Sequence, residues 1–374
     1  GGTITEKLAY FQRNFDHVRL ALTREPRGHR DILAALLTEA VSPRSRFGLI
    51  YMDARRYPFL CGHATIGAVA TLIEAGLIEI TDPAERITVD TPSGPMETRV
   101  TMSNGRPAAV AVRTVPSFVY RTDQLLDVPG HGRLTVDTVC VGGFFVMVSA
   151  DQIGLPLEAA HAAELTQLGM RVIESANRRL VVRHPLRPEV RKVDVVEFYD
   201  PADHARRRGR SVVIYGEAHM DRSPCGTGTA AKLTLLHHRG LLKVNQTFVN
   251  AGPLGTTFDA RIVAETRVGE HRAVEVDIQS TAHITGLQEF VIDPSDPFPE
   301  GFLLYGLAVT ISLRAHRTRG NRRKTSGLRP LRSADRLRPP SPLPASRNLD
   351  PSPGNTPDRK VSAECESFRP PPSI

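Results

Sequence analysis

The 374-residue chain has no tryptophan, only 6% aromatic residues and four cysteines. It has no run of 18 or more apolar residues, so the sequence predicts no membrane span. Four cysteines in a chain of this length do not make a disulfide framework, and Cys61, Cys140, Cys225 and Cys365 read as reduced thiols in a cytoplasmic protein. No Gly-Lys-Ser/Thr follows the glycine-rich stretch at 226–229, which argues against a phosphate-binding loop. No initiator Met is present, and the opening Gly1-Gly2-Thr3 reads as a trimmed start.

Net charge is also missing over most of the chain. Of the formal net charge of +8, all resides in residues 315–374, which hold 13 Lys/Arg against 5 Asp/Glu. The other 314 residues carry 35 of each sign, so no nucleic-acid partner is expected of the folded part. The same tail holds 11 of the 29 prolines and one aromatic, Phe368, and reads as a disordered basic extension over 305–374.

Before the tail, strand-like and helix-like segments alternate. Phe47–Met52, Val139–Val141, Phe144–Val148 and Ser211–Tyr215 read as buried strands, and Val274–Ile278 as a half-exposed one. Helices are predicted near 5–23, 65–75, 157–169 and 227–239, which makes the chain mixed α/β.

Two stretches repeat each other. Cys61-Gly62-His63-Ala64-Thr65 and Cys225-Gly226-Thr227-Gly228-Thr229 both place Thr four residues after a Cys-Gly pair. Both continue through a helix-compatible stretch with a Leu at the same offset, Leu72 and Leu236. Both stop at a glycine fifteen residues after the cysteine, Gly76 and Gly240. Each cysteine therefore sits at a helix N-terminus, where unpaired N–H groups favour a thiolate and should draw the thiol toward neutrality. The N–H groups of Gly226, Thr227 and Gly228 also offer a seat for a carboxylate. Two such units facing across a cleft would set one thiol on each face of a bound amino acid. That arrangement takes a proton from Cα on one side and returns it on the other.

His63 and Asp221 are candidates for holding the substrate amine, although either could be a cap or turn residue. Cys140, within a strand run, reads as a core residue, and Cys365 as an inert tail thiol. Zinc at Cys61, His63 and Cys225 is disfavoured because the spacing is wrong and a fourth ligand is missing.

At these residues the sequence resembles the proline racemase family, which includes proline racemases, 4-hydroxyproline 2-epimerases and trans-3-hydroxy-L-proline dehydratases. The matching text is Cys61-Gly-His-Ala-Thr-Ile-Gly-Ala68 and Asp221-Arg-Ser-Pro-Cys-Gly-Thr-Gly-Thr229, with support from Glu25-Pro-Arg-Gly-His29, Gly142-Gly143-Phe144 and Asp293–Phe302. The resemblance implies two pseudo-symmetric α/β halves of diaminopimelate-epimerase type, each a mixed sheet around a central helix, with the site between them. Residues 1–117 and 283–304 would form the first half and 118–282 the second. It implies Cys61 and Cys225 as the catalytic pair, no cofactor and no metal. His63 and Asp221 would contact the ring nitrogen, and Gly62, Gly226, Thr227 and Gly228 the carboxylate. The expected partner is a small imino acid, with no membrane and a homodimer as the assembly.

Dehydratases of the family typically lose one of the two cysteines, so the presence of both favours inversion. Ala64-Thr65 after Cys-Gly-His tilts the substrate toward 4-hydroxyproline, with proline next and trans-3-hydroxy-L-proline dehydration as a further alternative. An inactive truncated member is the remaining one.

Overall fold

The computed structural model describes residues 1–82, 85–216 and 218–304. The tail expected over 305–374, with Cys365, lies outside the described residues.

The first helix, α1 (Ile4–Thr23), starts because Thr3 and Glu6 cap each other. The Glu6 N–H donates to Thr3 Oγ1 at 3.1 Å, and the Thr3 N–H donates to Glu6 Oε2 at 3.3 Å. β1 (Leu33–Thr38) and β2 (Phe47–Asp53) follow as an antiparallel pair, then α2 (Gly62–Glu74). Next come β3 (Arg86–Thr91), β4 (Gly94–Ser103), β5 (Arg106–Arg113), β6 (Ser117–Val128), β7 (Gly132–Val141) and β8 (Gly143–Ser149). The chain continues through α3 (Ala162–Arg179), β9 (Val193–Asp200), β10 (Arg208–Tyr215), β11 (His219–Met220) and α4 (Gly226–His238). It closes with β12 (Thr247–Ala251), β13 (Thr257–Val268) and β14 (His271–Ser280).

The strands join in the order β1-β2-β3-β4-β5-β14-β13-β12-β10-β9-β8-β7-β6, and β6 returns to pair with β14. That return closes β6–β10 and β12–β14 around α4, whose residues from Gly228 to Leu236 are all buried. A helix buried on every side needs apolar residues all round, and Ala230, Ala231, Leu233, Leu235 and Leu236 supply them. Alternation along β7 and β8 sends Val139, Val141, Phe145 and Met147 into the core shared with α2 and α4. Cys140, Phe144, Val146 and Val148 go to the opposite core, against Leu165, Leu168 and Val172 of α3. Cys140 is thus a core residue, and burial pushes its thiol up to about 12.

Two elements differ from expectation. The helix expected at 157–169 runs instead over Ala162–Arg179, because Leu165, Leu168, Val172, Ile173 and Ala176 extend one apolar stripe to its end. Upstream, Glu158 is extended and Ala159–His161 form only a single 3₁₀ turn. β14 is not half-exposed. Val274, Val276 and Ile278 are at most 3% exposed, and Asp277 is buried as well at 7%. The reason is position: β14 lies between β13 and both β5 and β6, and Arg113 Nε pairs with Asp277 Oδ1 at 2.9 Å.

After β14 the chain forms no strand over 281–304. It comes back to the end of α1, where the Glu25 N–H donates to Phe302 O at 3.1 Å and Arg27 pairs with Asp296 at 3.2 Å. Among the described residues no helix is long and apolar enough to cross a membrane.

Candidate active site

The repeated stretches fold alike. Cys61 is the N-cap of α2 and Cys225 the N-cap of α4. Each helix ends at its glycine, with φ of 69° at Gly76 and 73° at Gly240, a region that a side chain would strain. The residue after each glycine donates its N–H back to the carbonyl five residues earlier, Leu77 to Leu72 at 2.9 Å and Leu241 to Leu236 at 2.8 Å.

The repeated Thr anchors the turn that carries each cysteine. Thr65 Oγ1 donates to Cys61 O at 2.9 Å and meets Tyr51 Oη, from β2, at 2.6 Å. Thr229 Oγ1 donates to Pro224 O at 3.1 Å and accepts from Asn250 Nδ2 at 2.8 Å. Cys225 sits at φ 58°, sparsely populated for a residue with a side chain, and the surroundings hold it there. Its N–H donates to Ser223 Oγ at 3.0 Å, while the Ser223 N–H and hydroxyl donate to Asp221 Oδ1 at 2.9 and 2.8 Å.

The two helix N-termini meet. A Cβ on Gly226 would stand 3.6 Å from Gly62 Cα, and one on Gly62 would stand 3.8 Å from Gly226 Cα. With no side chain on either glycine, the first-turn N–H groups and positive dipole ends of both helices converge on one place. A cleft of about 960 Å³ opens there, and Cys61, Gly62, His63, Asp221, Cys225, Gly226 and Thr227 all line it. Aromatic and aliphatic side chains, including Tyr57, Phe145, Val213 and Tyr215, form much of the wall. Gly228 does not line the cleft; its N–H donates to Cys225 Sγ at 3.3 Å.

The electrostatics differ between the two cysteines. Cys61 Sγ lies 3.8 Å from His63 Nδ1, and that nitrogen lies 3.8 Å from Asp221 Oδ2. Burial works against a charge on His63, yet the Cys61 sulfur and the Asp221 carboxylate outweigh it and raise it to about 10. The Cys225 thiol is not drawn toward neutrality as expected of a helix N-terminus. Burial first, then the charge of Asp221, push it well above the ordinary thiol value, and bonds from Thr227 and the Gly228 N–H oppose them without winning. The Thr65 hydroxyl is buried in the core, bonded to Tyr51 and to the Cys61 carbonyl.

Sequence reasoning passed over Ser223, Asn250, Glu197 and Lys232, which support the Cys225 turn. A signal was present for Lys232, the one Lys, Arg, Asp or Glu in α4; Glu197 shares its strand with Asp194 and Asp200 and carried none. Among the described residues no group of three or more His, Cys, Asp or Glu is arranged to hold a metal ion.

The family model described as "Proline racemase" matches residues 1–303. The chain belongs to the proline racemase family. It is 40% identical over 304 residues to a proline racemase from Clostridioides difficile, covering 81% of this chain and 91% of the relative. It is 37% identical to a 4-hydroxyproline 2-epimerase from Streptosporangium roseum, with the same coverage. A solved structure of a hydroxyproline epimerase from Agrobacterium vitis, with bound trans-4-OH-L-proline, superposes with a TM-score of 0.73 at 28% identity over 81% of this chain and 88% of that one. Proline racemase family members so named are isomerases, and the fold expected from the resemblance, mixed α/β with sheets about central helices, is the fold found.

Proposed function

We propose that this chain inverts the Cα configuration of a proline-type imino acid, with Cys61 and Cys225 as the two proton carriers. The carrying observation is the contact of two cysteine-capped helix N-termini at Gly62 and Gly226 over one cleft. In this reading the substrate carboxylate sits at the joined N-termini, where the N–H groups of Gly62, Gly226 and Thr227 donate to it. Gly228 serves the site indirectly, by giving its N–H to Cys225 Sγ. Asp221 and His63 flank the ring nitrogen, so the carboxylate of Asp221 balances the ring ammonium. As the Cα–H bond breaks, charge moves onto the substrate carboxylate, and the converging N–H groups stabilise it most at that moment. One thiolate removes the proton and the opposite thiol returns one to the other face, so neither cofactor nor metal enters a step.

Unsubstituted proline is put first in this reading, ahead of the 4-hydroxyproline toward which Ala64-Thr65 tilts, because the relative 40% identical over 304 residues is a proline racemase. 4-Hydroxyproline is the second, favoured by polar Ser93 and Arg56 on the cleft wall. Two retained cysteines count against dehydration, which needs a base on one face only. The two halves, 1–117 with 283–304 and 118–282, and a homodimeric cytoplasmic enzyme remain part of the proposal.

The test is deuterium incorporation at Cα in heavy water, starting from each stereoisomer of proline and of 4-hydroxyproline. Cys61→Ser and Cys225→Ser should each lower inversion by about 10²–10⁴-fold, the usual worth of a positioned proton carrier. Inversion near the native rate in either variant would remove the two-thiol mechanism.

A further inference from the structure

Beneath Cys225 lies an ion pair that the reaction as described does not use. Glu197 of β9 and Lys232 of α4 are 0% and 1% exposed, with Lys232 Nζ 3.5 Å from Glu197 Oε1. Lys232 Nζ also donates to Asn250 Oδ1 at 2.8 Å and to Arg210 O at 3.2 Å. Asn250 Nδ2 in turn donates to Pro224 O at 3.2 Å, the carbonyl immediately before Cys225. Neither Glu197 oxygen has a donor in good hydrogen-bond geometry, and Ser211 and Lys232 support its charge only from longer range. A Cβ on Gly228 would lie 2.9 Å from Glu197 Oε2 and 3.3 Å from Cys225 Cβ, so one strand of backbone separates the carboxylate from the thiol-bearing carbon. Burying such a pair returns little to the fold, since apolar replacements of similar volume are often neutral or stabilising. A fully buried, under-bonded carboxylate beside a reactive thiol calls for another reason.

We propose that Glu197, held by Lys232 and Asn250, is a positioning residue for Cys225 that keeps the proton on that thiol while the Asn250 branch holds its left-handed backbone. The proposal deepens the two-thiol reading and rests on it. A negative charge across one backbone segment, in surroundings with little water, disfavours a second negative charge on sulfur. The charged and titratable groups facing Cys225 are Asp221 before it, Glu197 from β9, Tyr215 from β10, and Cys61 with His63 at the start of α2. Those facing the pair itself are Cys225, Tyr199, Asp200 and His204. Burial, partly offset by Lys232 and then Ser211, lifts the Glu197 carboxyl to about 7. Its charge therefore appears in the range where a thiol would otherwise begin to ionise.

The experiment follows the pH dependence of Cys225 alkylation by iodoacetamide in the full chain, in a Cys61→Ser background. Mass spectrometry of the peptide bearing Cys225 reads the extent, separating it from Cys140 and Cys365. Glu197→Gln keeps the shape and removes the charge; Glu197→Gln with Lys232→Met removes both charges at similar volume and guards against misfolding of the single variant. Glu197→Gln should lower the alkylation midpoint by about half to one pH unit, and the double variant, which also loses the Lys232 cation, should lower it by less. An unmoved or raised midpoint in folded Glu197→Gln, or a raised midpoint in the double variant should the single one not fold, means that Glu197 only packs, and overturns the proposal. Without these substitutions the midpoint should lie above the ordinary thiol value of about 8.5; a midpoint at or below it overturns the proposal whatever the variants do. The readout needs no turnover, so loss of the two-thiol reading, seen as inversion surviving Cys225→Ser, is distinguishable from failure of this one.

Discussion

The seam between the two helix N-termini invites a perturbation of one methyl group, Gly62→Ala. The added Cβ would stand 3.7 Å from Val112 Cγ2 and 3.8 Å from Gly226 Cα, both ordinary contact distances. Gly62 is the first residue of α2 and has no positive φ, so alanine fits its backbone. Stability should hold or rise by a few tenths to about 1 kcal/mol, the usual gain from Gly to Ala at a compatible position. Activity should behave otherwise, because the methyl occupies the place proposed for the substrate carboxylate. Losing one charge-assisted hydrogen bond costs about 1.5–3 kcal/mol, which corresponds to about 10–150-fold in kcat/KM. The assays are urea unfolding for stability and Cα–H exchange in heavy water for activity. A variant as stable as the native chain that keeps its full kcat/KM would refute the placement of the carboxylate at the seam.

Gly228→Ala should give the opposite outcome at the equivalent helix. Its Cβ would meet Val213 Cγ2 at 2.8 Å and Glu197 Oε2 at 2.9 Å, so overpacking should destabilise the fold by about 1–3 kcal/mol, read by urea unfolding. Asn250→Ala should lower kcat more than it raises KM, since it removes one of the donors to Pro224 O and the donor to the Thr229 hydroxyl behind Cys225 and leaves the cleft lining in place. Steady-state kinetics on a variant with a native melting curve checks this. His204, stacked near Tyr199, is held down to about 4 by burial and then by the Lys232 charge. The unfolded chain binds the proton at about 6.5, so stability from a neutral His204 is complete above that value and lost as pH falls toward 4. Unfolding free energy should therefore decline over this window, and His204→Phe should flatten the decline.

Local signals carried as far as local physics did. The cysteine repeat was legible because a Gly-terminated helix leaves two marks at fixed spacing, and both α2 and α4 appear within a few residues of expectation. α3 was misplaced because its apolar stripe continues through charged Arg171, Glu174 and Arg178, which periodicity resolves only when the whole length is read. β14 looked half-exposed because Glu275 and Asp277 alternate with Val276, yet Arg113 makes burial of Asp277 tolerable from another strand. Proton affinity was the least legible property. The dipole that should have acidified Cys225 is present, but burial and Asp221 override it, and both depend on how strands from distant parts of the chain pack around one turn.

Duplication supplies matched geometry, whereas inversion requires unmatched protonation: at each turnover one sulfur must arrive bare and the other must carry a proton. Two identical units would leave that choice to chance and waste binding events on doubly protonated or doubly ionised pairs. Here the units diverge at the residue after the Cys-Gly pair, His63 in one and Thr227 in the other, and again in the acidic groups behind them. Cys61 has a cation-forming imidazole at 3.8 Å, while Cys225 faces Asp221 and Glu197 from inside a buried turn. The same fold thus sets two sulfurs in equivalent places and gives them opposite neighbours. In the two-thiol reading, Cys61 then acts as the base toward the stereoisomer whose Cα–H faces it, and Cys225 as the acid.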